Sequence, residues 1–161
     1  MTNKELNSSI KKTLKENGYN PKDFSVSVRD SLYDTTIKVV VKSPIINRAD
    51  IEKLLSKYES IDRDERTYEI LQGANYYLFV TYEYNVFDSV ACDYLGMAQE
   101  ILNCTEECYE IADGLYLINH NGQKIVMQQT PGRSNISLMP GTKEELAKML
   151  YKFITFKTIA A

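Results

Sequence analysis

A chain of 161 residues with 43% apolar and 25% charged side chains has the composition of a globular protein, which excludes an intrinsically disordered one. The net charge of −3, without any dense Lys/Arg tract, excludes the electrostatic pattern of a general nucleic-acid binder, so direct nucleic-acid binding is not expected. The longest apolar run, 76–80, is far shorter than the ~20 residues that span a bilayer. Three cysteines argue against a disulfide framework, and the first residues do not form a signal peptide. We therefore expect a cytoplasmic protein without a membrane partner.

The first half of the chain, over about residues 1–84, predicts the order α-β-β-α-β. A capping box of Thr2 and Glu5 opens an amphipathic helix over 3–16. Alternating or β-branched apolar residues predict strands at 24–29 and 35–42, then Asn47 caps a second helix, and a strongly β-prone run covers 76–84. This half is expected to form a small α/β domain.

Tyrosines dominate the run 76–84, and their alternation divides them between two faces of a strand. One face receives Tyr76, Leu78, Val80, Tyr82 and Tyr84, and the other receives Tyr77 and Phe79. A strand that is apolar on both faces is normally central and covered, so we favour a core position. If the face that carries Tyr77 is exposed instead, it becomes a protein-interaction or base-stacking platform. Tyr77 and Tyr82 are therefore candidate binding residues.

The second half, over 85–161, predicts the order α-β-β-β-(β)-α. Asp88 or Ser89 is expected to cap a helix with a continuous apolar face, and Thr142 with Glu145 forms a capping box for the last helix. Strands are expected at 108–112, 115–119, 124–129 and 136–139, with a hairpin turn at Asn121-Gly122. The predicted fold is α+β: two small α/β halves, each with a mainly antiparallel sheet flanked by helices.

The order of short patterns in the first half carries a family resemblance. A strand with Phe24-Ser25-Val26-Ser27-Val28-Arg29 precedes Ser43-Pro44 at a helix start, and the turn Gly73-Ala74-Asn75 precedes Tyr76-Tyr77-Leu78-Phe79-Val80. Over roughly 10–84 this resembles a large polyvalent protein-associated domain of phage and conjugative-element proteins. Ser43 and Ala74 stand where that pattern commonly has glycine. The resemblance implies a protein of a mobile genetic element inside a bacterial host, and it supplies no catalytic residues.

Residue types that ligate metals or act in catalysis are few. Cys92, Cys104 and Cys108 with His120 could form a zinc site, but the spacing favours buried thiols that behave as small apolar residues. His120 is expected at a hairpin tip, where residues are chosen for backbone geometry. We predict no metal, no cofactor and no local catalytic signature.

A second candidate metal site is the acidic run around residue 64. Asp62, Asp64 and Glu65 could bind magnesium, but Arg63 and Arg66 are interleaved with them and favour surface ion pairs. A nuclease site would need further carboxylates that the fold brings together.

The loop 130–135 is a candidate binding loop. Gly132 allows a ligand to approach the backbone, Arg133 offers a planar fork for phosphate or carboxylate, and Ser134 and Asn135 add hydrogen-bonding groups. An ordinary exposed connection between strands explains the same residues. Binding residues concentrate on loops that a rigid scaffold supports, which keeps this loop a candidate.

These observations predict a non-enzymatic accessory protein of a mobile genetic element. Its expected partner is a host protein or ribonucleoprotein complex, and its expected action is to inhibit a host defence machine such as a CRISPR effector or a restriction enzyme. The alternative is a nucleic-acid-binding or nucleic-acid-processing factor of a phage or conjugative plasmid, centred on the acidic run or on Arg133. Converging carboxylates would favour the enzyme, and an exposed apolar patch would favour the binder.

Overall fold

The computed structural model describes residues 2–71 and 73–160, which form two compact units. The division falls between Val86 and Phe87, two residues from the expected boundary. Helices flank two sheets whose strands are mostly antiparallel, which confirms the α+β prediction. Each unit has its own core and is described by itself.

The N-terminal unit contains a three-stranded sheet and two helices. Its elements are α1 (Asn3–Glu16), β1 (Phe24–Asp30), β2 (Thr35–Val41), α2 (Arg48–Leu55) and β3 (Tyr76–Tyr82). The sheet order is β1-β2-β3, with β1 antiparallel and β3 parallel to β2. The central strand is therefore β2. The expectation that the Tyr-rich strand is central and covered is wrong, because β3 lies at the edge of the sheet.

Helix α1 begins and ends where the sequence predicts. The backbone N–H of Glu5 donates to Thr2 Oγ1 at 3.3 Å, and the N–H of Thr2 donates to Glu5 Oε2 at 2.8 Å, so the capping box is complete. These hydrogen bonds from the backbone and side chain of Thr2 lower the pKa of the Glu5 carboxyl. The helix stops before Gly18, whose φ of +84° lies in the left-handed region that favours glycine.

The core of this unit lies between the two helices and one face of the sheet. Ile37, Val39 and Val41 of β2 are fully buried. The core residues of α1 and α2 belong to the same cluster, and they are Leu6, Ile10, Leu14, Ile51 and Leu55. Both helices therefore cover the same sheet face.

A buried amide fixes the loops at one end of this sheet. Asn75 is 1% exposed, and its Oδ1 accepts the backbone N–H of Asp62 at 2.7 Å. Its Nδ2 donates to Asp34 Oδ1 at 3.0 Å and to the carbonyl oxygen of Leu71 at 2.8 Å. Because one side chain bonds to groups of two loops, it holds the β1–β2 hairpin and the connection before β3 in one arrangement.

The C-terminal unit contains a four-stranded antiparallel sheet with helices on one face. Its elements are α3 (Asp88–Ala91), α4 (Leu95–Asn103), β4 (Cys108–Ala112), β5 (Leu115–His120), β6 (Gln123–Gln128), β7 (Ile136–Leu138) and α5 (Lys143–Phe156). The sheet order follows the sequence, β4-β5-β6-β7. Asn121 and Gly122 both have positive φ in the two-residue turn between β5 and β6, which confirms the predicted hairpin.

Two details of the helices differ from the sequence prediction. The expected single helix after Asp88 is interrupted by a 3₁₀ turn at Cys92–Tyr94, and its N-cap is Phe87. A 3₁₀ turn has three residues per turn, so it shifts the angular spacing of the apolar residues that a continuous helix would align. In α5, Glu145 accepts the backbone N–H of Gly141 at 2.6 Å, one residue before the N-cap Thr142.

A second buried amide ties the C-terminal segment to β6. Gln128 is 5% exposed, its Nε2 donates to the carbonyl oxygen of Lys157 at 2.8 Å, and its Oε1 accepts the backbone N–H of Ile159 at 2.9 Å. Ile159 is thereby held in the core at 1% exposure. The segment after α5 is part of the folded unit because this amide satisfies its backbone.

We expect Gln128→Leu to destabilise the protein by about 1–3 kcal/mol, because it leaves the buried N–H of Ile159 and the partly buried carbonyl group of Lys157 without their partner. The measurement is the free energy of unfolding in urea. The matched control is Gln129→Leu, since Gln129 is the exposed neighbour on the same chain and a change there is expected to stay within about 0.5 kcal/mol. Equal effects of the two substitutions would contradict the role assigned to Gln128.

Candidate binding surface on the open sheet of the N-terminal unit

One face of the N-terminal sheet has no helix on it, and we call it the open face. Alternate residues of each strand point to it, because side chains alternate across a strand. Its members are Ser25, Ser27, Arg29, Thr36, Lys38, Val40, Tyr77, Phe79 and Thr81. They are exposed or half-buried, whereas their neighbours along the strands form the core. The open face is therefore a solvent-facing surface supported by a rigid sheet.

Two aromatic rings lie on the edge strand of this surface. Phe79 is 53% exposed and Tyr77 is half-buried, whereas Val80, on the opposite face of β3, belongs to the core and is only 5% exposed. Two residues along a strand are ~7 Å apart, so the rings are neighbours without covering one another. An exposed phenylalanine contributes little to folding, because most of its apolar area stays in contact with water.

The cations of the open face lie beside these rings. In the strand register Lys38 is the partner of Phe79 on one side and of Ser27 on the other. Arg29 is the partner of Thr36, which in turn pairs with Tyr77. Within the described part of the chain, neither cation has an ion pair or a side-chain hydrogen bond. Both charges are available to a ligand.

The charge of the open face differs from that of the whole chain. None of its nine side chains is acidic, so the face carries two positive charges. The N-terminal unit has thirteen basic and thirteen acidic side chains, whereas residues 87–161 have six basic and nine acidic ones. The entire net charge of −3 therefore comes from the C-terminal unit, and the open face is a basic region of a neutral unit.

Tyr82 does not belong to the open face. Its hydroxyl donates to the carbonyl oxygen of Ile46 at 2.9 Å and accepts the backbone N–H of Arg48 at 3.0 Å. These bonds satisfy the first turn of α2, where Ile46 before the helix and Ile51 within it are both buried. The structure thus separates the two tyrosines proposed for binding: Tyr77 faces solvent with Phe79, and Tyr82 packs against α2.

The loop with Arg133, Ser134 and Asn135 lies in the C-terminal unit, where all three residues are exposed. The N–H of Arg133 donates to the carbonyl oxygen of Thr130 at 3.1 Å, and Gly132 takes a φ of +73°. Asn135 lines a cleft of about 580 Å³, and Arg133 and Ser134 lie outside that lining. The lining residues are Asp113, Gly114, Tyr116, Gln129, Thr130, Pro131 and Asn135.

The chemistry of this cleft is acidic. The Glu110 carboxylate raises the pKa of the Tyr116 hydroxyl, with smaller contributions from burial and from Asp113. Negative charge beside the cleft opposes the phosphate or carboxylate ligand that Arg133 alone would favour. The open face of the N-terminal unit is consequently the better candidate for an anionic partner.

The other candidate residues serve local structure. Cys92 and Cys108 are exposed, so the expectation of buried thiols is wrong for both. The Sγ of Cys92 contacts the carbonyl oxygen of Asp88, and Cys108 lies on the sheet face that no helix covers. Across residues 2–71 and 73–160, no three His, Cys, Asp or Glu side chains are grouped to hold a metal ion.

The acidic run around residue 64 forms a turn. Asp64 Oδ1 accepts the backbone N–H groups of Arg66 and Thr67, each at 2.8 Å, which lowers the pKa of its carboxyl. Arg63 donates to the carbonyl oxygen of Tyr68 at 3.2 Å. The expected surface ion pairs are replaced by side-chain-to-backbone bonds, which are typical of an Asx turn.

Comparisons with family models, curated proteins and solved structures find no match for the chain. Among the described residues, no helix combines the length and the apolar character needed to cross a lipid bilayer. The resemblance to a polyvalent-protein-associated domain stays a prediction from the sequence.

The sequence placed Tyr77 and Phe79 on one face of a strand and indicated Tyr77 as a candidate binding residue, but it did not join Lys38 and Arg29 to them as one surface. A usable signal was present, because β1 alternates apolar residues with Ser25, Ser27 and Arg29. A strand with one polar face implies that the neighbouring strands of the same sheet are also uncovered on that face. The strand register that places Lys38 beside Phe79 is set by tertiary structure, and no local sequence pattern indicates it.

We expect Phe79→Ala to change the free energy of unfolding by less than about 1 kcal/mol, since the ring is already half in water. The matched substitution on the buried face, Val80→Ala, is expected to cost about 1.5–3 kcal/mol. Urea unfolding of both variants measures the difference. A larger loss for Phe79→Ala than for Val80→Ala would show that the ring is a core residue.

We expect the lowered pKa of Asp64 to appear as a pH dependence of stability. A carboxyl whose folded pKa lies below its ordinary 3.8 stabilises the fold above that value and loses the contribution as pH falls through the folded pKa. Urea unfolding between about pH 5 and pH 2 should therefore show a shallower decline for Asp64→Asn than for the parent chain. NMR titration of the Asp64 carboxyl gives the pKa directly, and a value at or above 3.8 would contradict the turn geometry.

Proposed function

We propose that this chain is a non-catalytic binding protein of a mobile genetic element that inhibits a host defence machine, such as a CRISPR effector or a restriction enzyme, in the bacterial cytoplasm. The observation that supports binding is the open face, where Phe79 is exposed on a rigid sheet beside two cations without partners. The resemblance of residues 10–84 to a polyvalent-protein-associated domain supports the mobile-element setting.

The area of the open face indicates what else the partner must contact. Three strands of seven residues, ~4.8 Å apart with a rise of ~3.3 Å per residue, present roughly 300 Å². A standard interface buries about 800 Å² on each partner. The partner is therefore expected to extend onto neighbouring exposed groups, and the tip of the β1–β2 hairpin supplies them: Leu32 is 91% exposed and Tyr33 is 65% exposed.

The proposal is tested by plasmid interference in bacteria that carry an active CRISPR or restriction system. Expression of the chain is expected to restore transformation by a targeted plasmid, and Tyr77→Ala with Phe79→Ala is expected to abolish that effect. The control is Tyr84→Ala, which removes an aromatic ring that is 95% exposed and lies outside the open face. Failure to relieve any of a panel of such systems, with the protein present at normal levels, would contradict the inhibitor function.

A second candidate function is a nucleic-acid-binding factor of a phage or conjugative plasmid. The position of Lys38 between Phe79 and Ser27 supports it, because a cation beside exposed rings suits phosphates and bases. The acidic run gives little support to a nucleic-acid-processing enzyme, because the Asp64 carboxylate accepts the backbone N–H groups of Arg66 and Thr67 in a turn.

A further inference from the structure

We infer that the open face binds single-stranded nucleic acid, with bases stacked on Phe79 and Tyr77 and phosphates held by Lys38 and Arg29. The inference rests on the proposed function in one respect, namely that the nucleic acid belongs to the ribonucleoprotein or nucleoprotein machine that the chain inhibits. DNA and RNA strands share the chemistry that this surface recognises.

The rings provide the stacking positions. Phe79 and Tyr77 stand at alternate positions of an edge strand, ~7 Å apart, so each ring is positioned to stack with a different base. Phe79 exposes about half of its surface to solvent. Base–aromatic stacking tolerates any sequence, because every base has a π-face. At the outer edge of β3 the Glu59 carboxylate accepts the backbone N–H of Leu78 at 3.4 Å and Ser60 pairs with Tyr76, so the bases are expected to lie over the face of the sheet and not past its rim.

The cations lie where the backbone of such a strand would run. Lys38 is one strand away from Phe79, ~5 Å, and Arg29 is two strands away from Tyr77, ~10 Å. A polynucleotide with its bases over β3 would place its phosphates over β2 and β1. The remaining polar groups of that region are the hydroxyls of Ser25, Ser27 and Thr36, which suit sugar and phosphate oxygens. No carboxylate stands on the open face to repel the strand.

The central position of Lys38 distinguishes this ligand from a protein. Lysine is depleted in the buried centre of protein interfaces, where apolar and aromatic residues dominate. Here Lys38 occupies the middle strand, and Val40 is the one aliphatic side chain among the nine residues of the face. A protein partner would have to desolvate this cation at the centre of the contact, whereas a phosphate pairs with it.

Double-stranded nucleic acid fits the surface less well. Its bases are already stacked on one another, so the rings would lose their contribution. Two cations release few counterions and support only weak phosphate binding by themselves. The rings are therefore expected to decide the preference for single strands.

The test is fluorescence anisotropy of the full chain with labelled oligonucleotides of about 12 nucleotides, as single-stranded DNA, single-stranded RNA and duplex DNA of the same sequence. We expect saturable binding of single strands and markedly weaker binding of the duplex. Phe79→Ala should weaken binding by about 5- to 100-fold, and Phe79→Trp should retain it. Lys38→Ala should reduce the slope of log K against log salt by about 0.7. Tyr84→Ala serves as the control and should bind as the parent chain does.

Three results would overturn the inference: no saturable binding of either single strand at low salt, equal affinity for the duplex, or unchanged affinity in Phe79→Ala. If the chain still relieved plasmid interference through Tyr77 and Phe79 in any of these cases, the proposed function would stand and its partner would be a protein surface. If single strands bound as expected but no defence system were relieved, the surface assignment would hold and the inhibitor function would fail. Comparison of the DNA and RNA affinities identifies which strand the surface prefers.

Discussion

Both helices of the N-terminal unit pack on the same face of its sheet, and the rest of this unit depends on that arrangement. The fully buried residues of β2 face α1 and α2, so the alternate residues Thr36, Lys38 and Val40 must face solvent. A one-residue slip of β3 against β2 would move Val80 outward and Phe79 inward. The hydrophobic requirement of the core therefore fixes which side chains the open face presents.

Parallel pairing of β3 with β2 has a direct consequence for the candidate site. It puts Tyr77 and Phe79 opposite Thr36 and Lys38, and the antiparallel pairing of β1 adds Ser27 and Arg29 in the same two rows. Rings, hydroxyls and cations thus meet on one rigid surface although they come from three separate segments of the chain. The same pairing leaves β3 at an edge, where Phe79 stays exposed.

Buried amides, rather than ion pairs, organise the ends of both units. Asn75 joins the loops beside β3, and Gln128 holds the segment that follows α5. Amides satisfy several backbone groups without the desolvation cost of a charge, so they suit positions at 1% and 5% exposure. The three ion pairs of the described residues lie at partly exposed positions and contribute little by comparison.

Local patterns in the sequence were sufficient for the fold class and for most of the elements. The capping box of Thr2 and Glu5, the alternation in β2 and the Asn121-Gly122 turn depend on neighbours a few residues apart, and each appears in the structure as predicted. The interrupted helix at Cys92–Tyr94 and the exposure of Cys92 were missed, because a 3₁₀ turn changes the angular period without changing composition.

The sequence by itself determined that Tyr77 and Phe79 share a face and that Tyr82 lies on the other, since alternation follows from strand geometry. Only the tertiary structure decided that β3 is an edge strand, that the Tyr82 hydroxyl serves α2, and that Lys38 stands beside Phe79. Strand order and register arise from contacts between segments about 40 residues apart, where burial of the whole sheet face outweighs any local preference. For that reason the basic, aromatic surface becomes visible only when the sheet is assembled.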